Sequence, residues 1–208
     1  VFLINFYTAA TSVNYLFSPK KIVYCDHGNL NALAKTDLIL SKLSSIIAKK
    51  TVVLTEKNKK SYQKRFKTPE KKLICIPNWI DEKLLANQKN YDENTNRIIS
   101  MGRISMIKGP DLLIKTAKKL RERNDNWVWD VYGSGDAFED FQKWIQEEGL
   151  EGWVIPHGMT NDPYGKYPGH AMEVLTSYSE GLPLALLEAK ANYLPLVSFD
   201  IHTGPSDI

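Results

Sequence analysis

Two cations bracket a glycine-bounded run, Gly102-Arg103-Ile104-Ser105-Met106-Ile107-Lys108-Gly109, which follows an apolar stretch and precedes Pro110-Asp111. Arginine offers a planar fork of donors and lysine a mobile point charge, a pair suited to the oxygens of a diphosphate. A solvated surface loop would carry the same two charges. The run is not a Walker A loop, because no G-x4-G-K-[ST] sequence occurs in the chain. A second glycine pair, Gly133 and Gly135, ends the apolar run 127–132. It would let the backbone approach a ligand, but Phe138 replaces the third glycine of a dinucleotide fingerprint, and a tight strand-to-helix turn accounts for the pair equally well.

The segment 177–189 holds two acids eight residues apart, Glu180 and Glu188. Pro183 suits the first turn of a helix, which places Glu180 on the entering loop and Glu188 within the helix. The amides of Gly181 and Leu182 would then lie at a positive helix end, where anions bind. A carboxylate beside such a site accepts hydrogen bonds from sugar hydroxyls. The plainer alternative makes Glu180 a helix-start acid and Glu188 a solvated residue, although Leu184, Leu186, Leu187 and Ala189 around Glu188 draw it inward. His27, in Cys25-Asp26-His27-Gly28, also follows an apolar run; a lone histidine there is either structural or a site residue.

The elements that must position these residues alternate. Strands are expected at 21–25, 51–54, 73–76, 97–100, 127–132, 152–155, 173–175 and 196–198, and helices at 35–48, 57–66, 111–123, 137–148 and 183–191. Such alternation predicts parallel strands joined by right-handed crossovers, hence an α/β protein of two Rossmann-like doubly wound domains, 1–91 and 92–208, with the polar stretch Asn87 to Asn96 as linker. Ligands of such folds sit at the carboxyl ends of the strands, where the loops above fall.

Composition narrows the class. Of 208 residues, 43% are hydrophobic and 25% charged, which excludes disordered and fibrous chains. No apolar run approaches the roughly 20 residues of a membrane span. The opening VFLINFY lacks the basic flank and cleavage site of a signal peptide, and the missing initiator methionine suggests a fragment. Cys25 and Cys75 are too few for a disulfide framework or zinc site; they read as buried strand residues in a reducing, cytoplasmic protein.

Charge is split: residues 1–91 hold 16 Lys and Arg against 6 Asp and Glu, a net +10, whereas 92–208 hold 11 against 18, a net −7. Ten of the cations lie between Lys49 and Lys72. They form either a solvated helix face or a patch for an anionic membrane surface, with Lys57, Lys60 and Lys64 on one side of a helix and Tyr62 and Phe66 as core contacts. No aromatic-rich RNA motif or zinc-finger spacing supports nucleic acid as a partner. Hydrolase signatures such as G-x-S-x-G and H-E-x-x-H are absent.

Taken in order, G-R-x4-K-G, Y-G-x-G, S-x2-E-G-x-P-x4-E-A and G-P-S-D-I resemble the GT4 family of retaining glycosyltransferases, of the GT-B fold, over nearly all of 97–208. The segments Val53-Leu54-Thr55-Glu56 and Ile76-Pro77-Asn78-Trp79-Ile80-Asp81 look like the same family's crossover between domains. The resemblance implies two GT-B domains, both incomplete here. It implies transfer of a hexosyl or N-acetylhexosaminyl group, with retention, from a nucleotide diphosphate sugar, with a uridine-linked donor expected, to a saccharide or lipid-linked acceptor. Arg103 and Lys108 would hold the donor diphosphate beside Gly102, Glu188 would bind the ribose, and Gly133 would border the nucleotide. Glu180 and the amides of Gly181 and Leu182 would contact the transferred sugar or its phosphate, and His27 would face that sugar. No D-x-D pair occurs, so neither metal nor other cofactor is expected. Two departures stand out: Trp79 replaces a small residue, and Tyr193 stands where a glycine commonly ends the helix, which predicts that Asn192 takes the left-handed conformation. The competing reading is a non-catalytic nucleotide-sugar or polysaccharide binding module.

Overall fold

The computed structural model describes residues 3–5, 21–86, 94–123 and 126–208. The linker expected at Asn87 to Asn96 falls for the most part, at 87–93, outside the described residues. Contacts divide the chain into two units. The first comprises Val1–Asn78, Ser179–Leu182 and Ile201–Ile208, and the second Trp79–Tyr178 and Pro183–Asp200.

The first unit is built on a parallel sheet in the order β1-β2-β3-β4, from β1 (Leu3–Asn5), β2 (Ile22–Asp26), β3 (Lys50–Val53) and β4 (Leu73–Cys75). Apolar residues dominate these strands, and Ile22, Tyr24, Val53 and Leu73 among them are buried as the unit's core. Helix α1 (Lys35–Ile47) joins β2 to β3, and α2 (Glu56–Phe66) joins β3 to β4. Thr55 caps α2 by accepting from the Asn58 N–H at 3.1 Å. Tyr62 is fully buried and meets Phe66 edge-on, the expected core pair. The cationic face of α2 is less free than its spacing suggests, because Lys57 donates to Ser206 Oγ at 2.5 Å and pairs with Asp207 at 3.5 Å.

The second unit is a parallel five-stranded sheet in the order β7-β6-β5-β8-β9. Its strands are β5 (Arg97–Met101), β6 (Val128–Tyr132), β7 (Val154–Gly158), β8 (Met172–Leu175) and β9 (Leu196–Ser198). After a short α3 (Glu82–Ala86) come α4 (Pro110–Arg121), α5 (Phe138–Glu147) and α6 (Leu184–Ala191). Ile98, Trp129, Val131 and Val154 form one core with Leu113 and Phe141 of α4 and α5. Ile99 packs on the opposite side with Tyr167, Ala189 and Leu194. Asp130 and Glu173 both pair in register with Ile99, so these two acids share its face.

Two local expectations are corrected. Tyr193, at φ 62°, takes the left-handed conformation itself while Asn192 stays at φ −91°. The tyrosine ring is largely exposed, so the cost of that backbone falls on one residue that the Leu194 N–H to Ala189 carbonyl bond holds in place. Pro183 precedes α6 as its N-cap, with extended ψ, rather than opening its first turn. Helix α3 clusters with the second unit, whereas the charge cut groups its residues with the first.

Candidate functional site

In the second unit the strand order reverses between β5 and β8, since β6 and β7 lie to one side and β9 to the other. Such a switch point opens a crevice at the carboxyl ends of the two strands. The loop that leaves β5 there is Gly102 to Gly109. Its Arg103 is exposed and its Lys108 half-exposed. Neighbouring strands fix its backbone. Gly102 N–H donates to the Tyr132 carbonyl and Ile104 N–H to the Ser134 carbonyl, each at 3.0 Å. At the far end Thr176 Oγ1 donates to the Gly109 carbonyl at 3.0 Å, and Tyr178 N–H to the Ile107 carbonyl at 2.9 Å.

Tight packing explains the glycines. A β-carbon built on Gly133, which has φ 135°, would overlap the Gly102 carbonyl oxygen, and one on Gly135 would overlap that of Ile104. Gly109, at φ 66°, abuts the Thr176 carbonyl in the same way. The G-x-G pair is thus required to seat the Arg103 loop, whatever it contributes to a ligand.

Glu188 lies half-buried on α6, where the Tyr167 hydroxyl donates to its Oε2 at 2.8 Å. Burial pushes the Glu188 carboxyl up and the Tyr167 bond pulls it back. Glu173 on β8 is fully buried. Its Oε1 accepts from Met101 N–H at 3.2 Å, and its Oε2 has no hydrogen-bond partner. Burial drives its carboxyl far above the usual range, and Glu188 adds to the shift.

A further cluster lies on the same sheet face. Asp130 Oδ1 accepts from Arg97 at 2.6 Å and lies 2.5 Å from His157 Nε2, while Oδ2 lies 3.2 Å from His170 Nε2. Burial alone would raise the Asp130 pKa, but His170, His157 and Arg97 outweigh it and bring the value down to about 2. His157 also stacks on Tyr132, with ring centres 4.3 Å apart. The cluster ties β5, β6, β7 and the turn before β8 together. Sequence reading passes over Asp130, Glu173, Tyr167 and both histidines. The available signal was a single acid inside each of the otherwise apolar strands W-V-W-D-V-Y and A-M-E-V-L, which a strand covered on both faces keeps only when its charge is paired or neutralised.

Within the first unit the structure brings together His27, Glu180, Gly181 and Leu182. Asp26, at the end of β2, accepts from Tyr62 Oη at 2.7 Å and from Gly28 N–H at 2.9 Å, and Asn58 Nδ2 donates to the Gly28 carbonyl at 3.1 Å. His27 sits exposed on the loop so fixed. Gly181 lies against it, since a β-carbon there would overlap the His27 carbonyl oxygen and touch Leu54 at 3.4 Å. Asn78 Nδ2 donates to the Leu182 carbonyl at 2.7 Å, and Thr203 Oγ1 to the buried Glu180 carbonyl at 2.9 Å. The 179–182 segment therefore crosses the carboxyl ends of β2, β3 and β4. Among the described residues no group of three or more His, Cys, Asp or Glu is placed to hold a metal ion, and no helix is long and apolar enough to cross a membrane.

Several known proteins resemble this chain in sequence or in fold. An uncharacterized glycosyltransferase of Haemophilus influenzae is 33% identical over 155 residues, covering 74% of this chain and 43% of its own. The amylovoran biosynthesis glycosyltransferase AmsD of Erwinia amylovora is 26% identical, covering 96% of this chain and 57% of its own. The chain thus spans about half the length of these two relatives. Among solved structures, a mutant of Staphylococcus aureus TarM in complex with fondaparinux, alpha-GlcNAc-glycerol and UDP superposes with a TM-score of 0.83 at 24% identity, over 94% of this chain and 41% of that one. Anabaena HepE in complex with UDP and glucose gives 0.79 at 18% identity, over 96% and 58%. These likenesses establish the GT-B fold with its two parallel α/β domains. The model of the glycosyl transferases group 1 family matches residues 81–208, which include β5 to β9 and the Arg103 loop, and the chain belongs to that family.

Proposed function

We propose that this chain is part of a retaining glycosyltransferase, of GT4 type, that moves a hexosyl or N-acetylhexosaminyl group from a UDP-linked donor to a saccharide or lipid-linked acceptor. The observation that carries the reading is the Arg103 to Lys108 loop at the reversal between β5 and β8. As the bond from the sugar to the diphosphate breaks, negative charge grows on the leaving group. Fixed cations at that point stabilise the transition state more than the ground state. Arg103 and Lys108 supply that charge without a metal ion, Gly102 lets the loop approach, and Glu188 receives the ribose hydroxyls. Glu180, Gly181 and His27 serve the transferred sugar. TarM and HepE, whose structures hold UDP, share the fold, and a curated relative is the poly(ribitol-phosphate) alpha-N-acetylglucosaminyltransferase of S. aureus, 29% identical over 75% of this chain and 31% of its own.

The test is calorimetric titration of the protein with UDP. Charge-assisted hydrogen bonds are worth roughly 1.5–3 kcal/mol, so Lys108→Ala should weaken UDP binding on the order of 10- to 100-fold. Unchanged affinity in both Lys108→Ala and Arg103→Ala would remove the phosphate role. Binding without transfer to any saccharide acceptor would favour the non-catalytic module.

The basic half supports docking on the anionic cytoplasmic leaflet as a further part of the proposal. Lys60 and Lys64 are exposed on α2, each worth about 1 kcal/mol near such a surface. Retention on anionic vesicles at low salt, lost in the Lys60→Glu/Lys64→Glu double variant, is the expected result. Equal sedimentation of parent and variant would make that face merely solvated.

A further inference from the structure

We infer that Tyr167 is a positioning residue for nucleotide recognition, aiming the Glu188 carboxylate from a fully buried ring. The inference rests on the reading above that Glu188 accepts from the donor ribose. Tyr167 follows the single turn Tyr164–Lys166 and packs against Ile99, Ala189 and Leu194, so its ring has one orientation. Its hydroxyl lies 2.8 Å from Glu188 Oε2 and 3.4 Å from the Ala185 carbonyl. With Oε2 occupied, Glu188 Oε1 remains as the acceptor the phenol does not hold, and the rotation of the carboxylate about its last bond is fixed by the phenol. Burial first, then Glu173 and Glu188, push the Tyr167 phenol far upward, so it stays a donor throughout the working range of an enzyme.

Glu173 makes this arrangement tolerable. It reaches under the end of β5 to accept from Met101, the residue before Gly102, and its other oxygen meets no partner. An ionised carboxylate so placed would be an unpaired buried charge, disfavoured further by the charge of Glu188. Protonated, it is a neutral group that holds the strand end from which the Arg103 loop departs.

The inference is tested by ribose discrimination. The affinities of UDP and of 2′,3′-dideoxyuridine diphosphate are measured by calorimetry for the parent, Tyr167→Phe and Glu188→Gln. The parent should prefer UDP, and Glu188→Gln should lose most of that preference. Tyr167→Phe should reduce the preference about three- to tenfold while leaving dideoxy affinity unchanged, because a freed carboxylate costs on the order of one oriented hydrogen bond. A purely structural tyrosine would weaken both ligands alike, and that result overturns the inference. So does full discrimination in Tyr167→Phe alongside its loss in Glu188→Gln. A parent that does not prefer UDP over the dideoxy compound overturns the ribose reading, and the inference with it.

Discussion

The α-carbon of Gly181 faces the carbonyl oxygen of His27 with no room for a side chain between them. The 179–182 segment can cross the loop after β2 only because residue 181 has no β-carbon. Gly181→Ala must therefore displace either the His27 loop, which Asp26, Gly28 and Asn58 hold, or the segment carrying Glu180. A misplacement of about 1 Å costs on the order of 100-fold in turnover. Gly28→Ala is the control, since a β-carbon there would make only ordinary contact with Asp26 at 3.4 Å. Initial-rate assays with a UDP-sugar should show a large loss for Gly181→Ala and little change for Gly28→Ala; equal rates would mean that the segment yields freely.

The two acids of the E-x7-E pair should separate by ligand portion. Glu188 is assigned to the ribose, so Glu188→Gln should weaken UDP binding about tenfold, the worth of one charge-assisted bond. Glu180 is assigned to the sugar, whose contacts matter most as the glycosidic bond breaks. Glu180→Gln should thus lower kcat with UDP affinity within about twofold. Calorimetry paired with steady-state rates reads both. A loss of UDP affinity in Glu180→Gln equal to that in Glu188→Gln would end the division.

Much of this fold is legible in the sequence because its strands are short β-branched runs and its helices carry their own periodicity. Runs such as T-V-V-L and L-I-C-I need no tertiary context to read as strands, and D-L-L-I-K-T-A-K-K-L declares a helix with one apolar face. Strand β1, only Leu3–Asn5, was not legible, since its apolar stretch carries no punctuation, and the five-residue α3 is too short for a period to show. At the candidate site the cations and acids stand out by type. Their supports do not, because they join residues distant in sequence. Asp130 meets His157 and His170 only because β6 and β7 are neighbours and the turn before β8 returns to the same face, and that order is settled by packing rather than by any local pattern. The glycines show the same limit: Gly133 announces a turn, but only the approach of the Gly102 carbonyl explains why nothing larger fits.

The Asp130 cluster predicts acid sensitivity. The carboxyl is buried, yet hydrogen bonds from His170, His157 and Arg97 bring its folded pKa down from 3.8 to about 2. A depressed carboxylate pKa gives stability that is present above 3.8 and is lost as the pH falls through about 2. Asp130→Asn removes the charge from three partners. It should destabilise the protein at neutral pH by about 3 kcal/mol, at the low end for a broken buried pair because Arg97 can turn toward water. Urea denaturation between pH 2 and 7 should show parent and variant converging toward the acid end, on the order of pH 2, as Asp130 is protonated. A constant gap across that range would show that the aspartate matters by shape rather than by charge.

Glu173 should respond in the opposite sense. Its folded pKa is raised well above 4.5 because the carboxyl is fully buried and the charge of Glu188 adds to the shift, with only the Met101 N–H to favour its ionised form. A raised carboxylate pKa gives stability that is complete below 4.5 and is lost as the pH rises toward the folded value. The protein therefore gives up stability on going from acid to neutral pH at this one position. Glu173→Gln keeps the shape and the acceptor for Met101 while removing the titration, so its stability should stay flat over that interval. Parent and variant should have nearly the same urea midpoint near pH 4.5, and the variant should become the more stable of the two as the pH rises. The same substitution should leave UDP affinity within about twofold at acid pH, where the native side chain is already neutral. Parallel stability profiles for parent and variant would show that Glu173 is ionised in the folded protein, and its negative charge would then need a partner that the present arrangement does not provide.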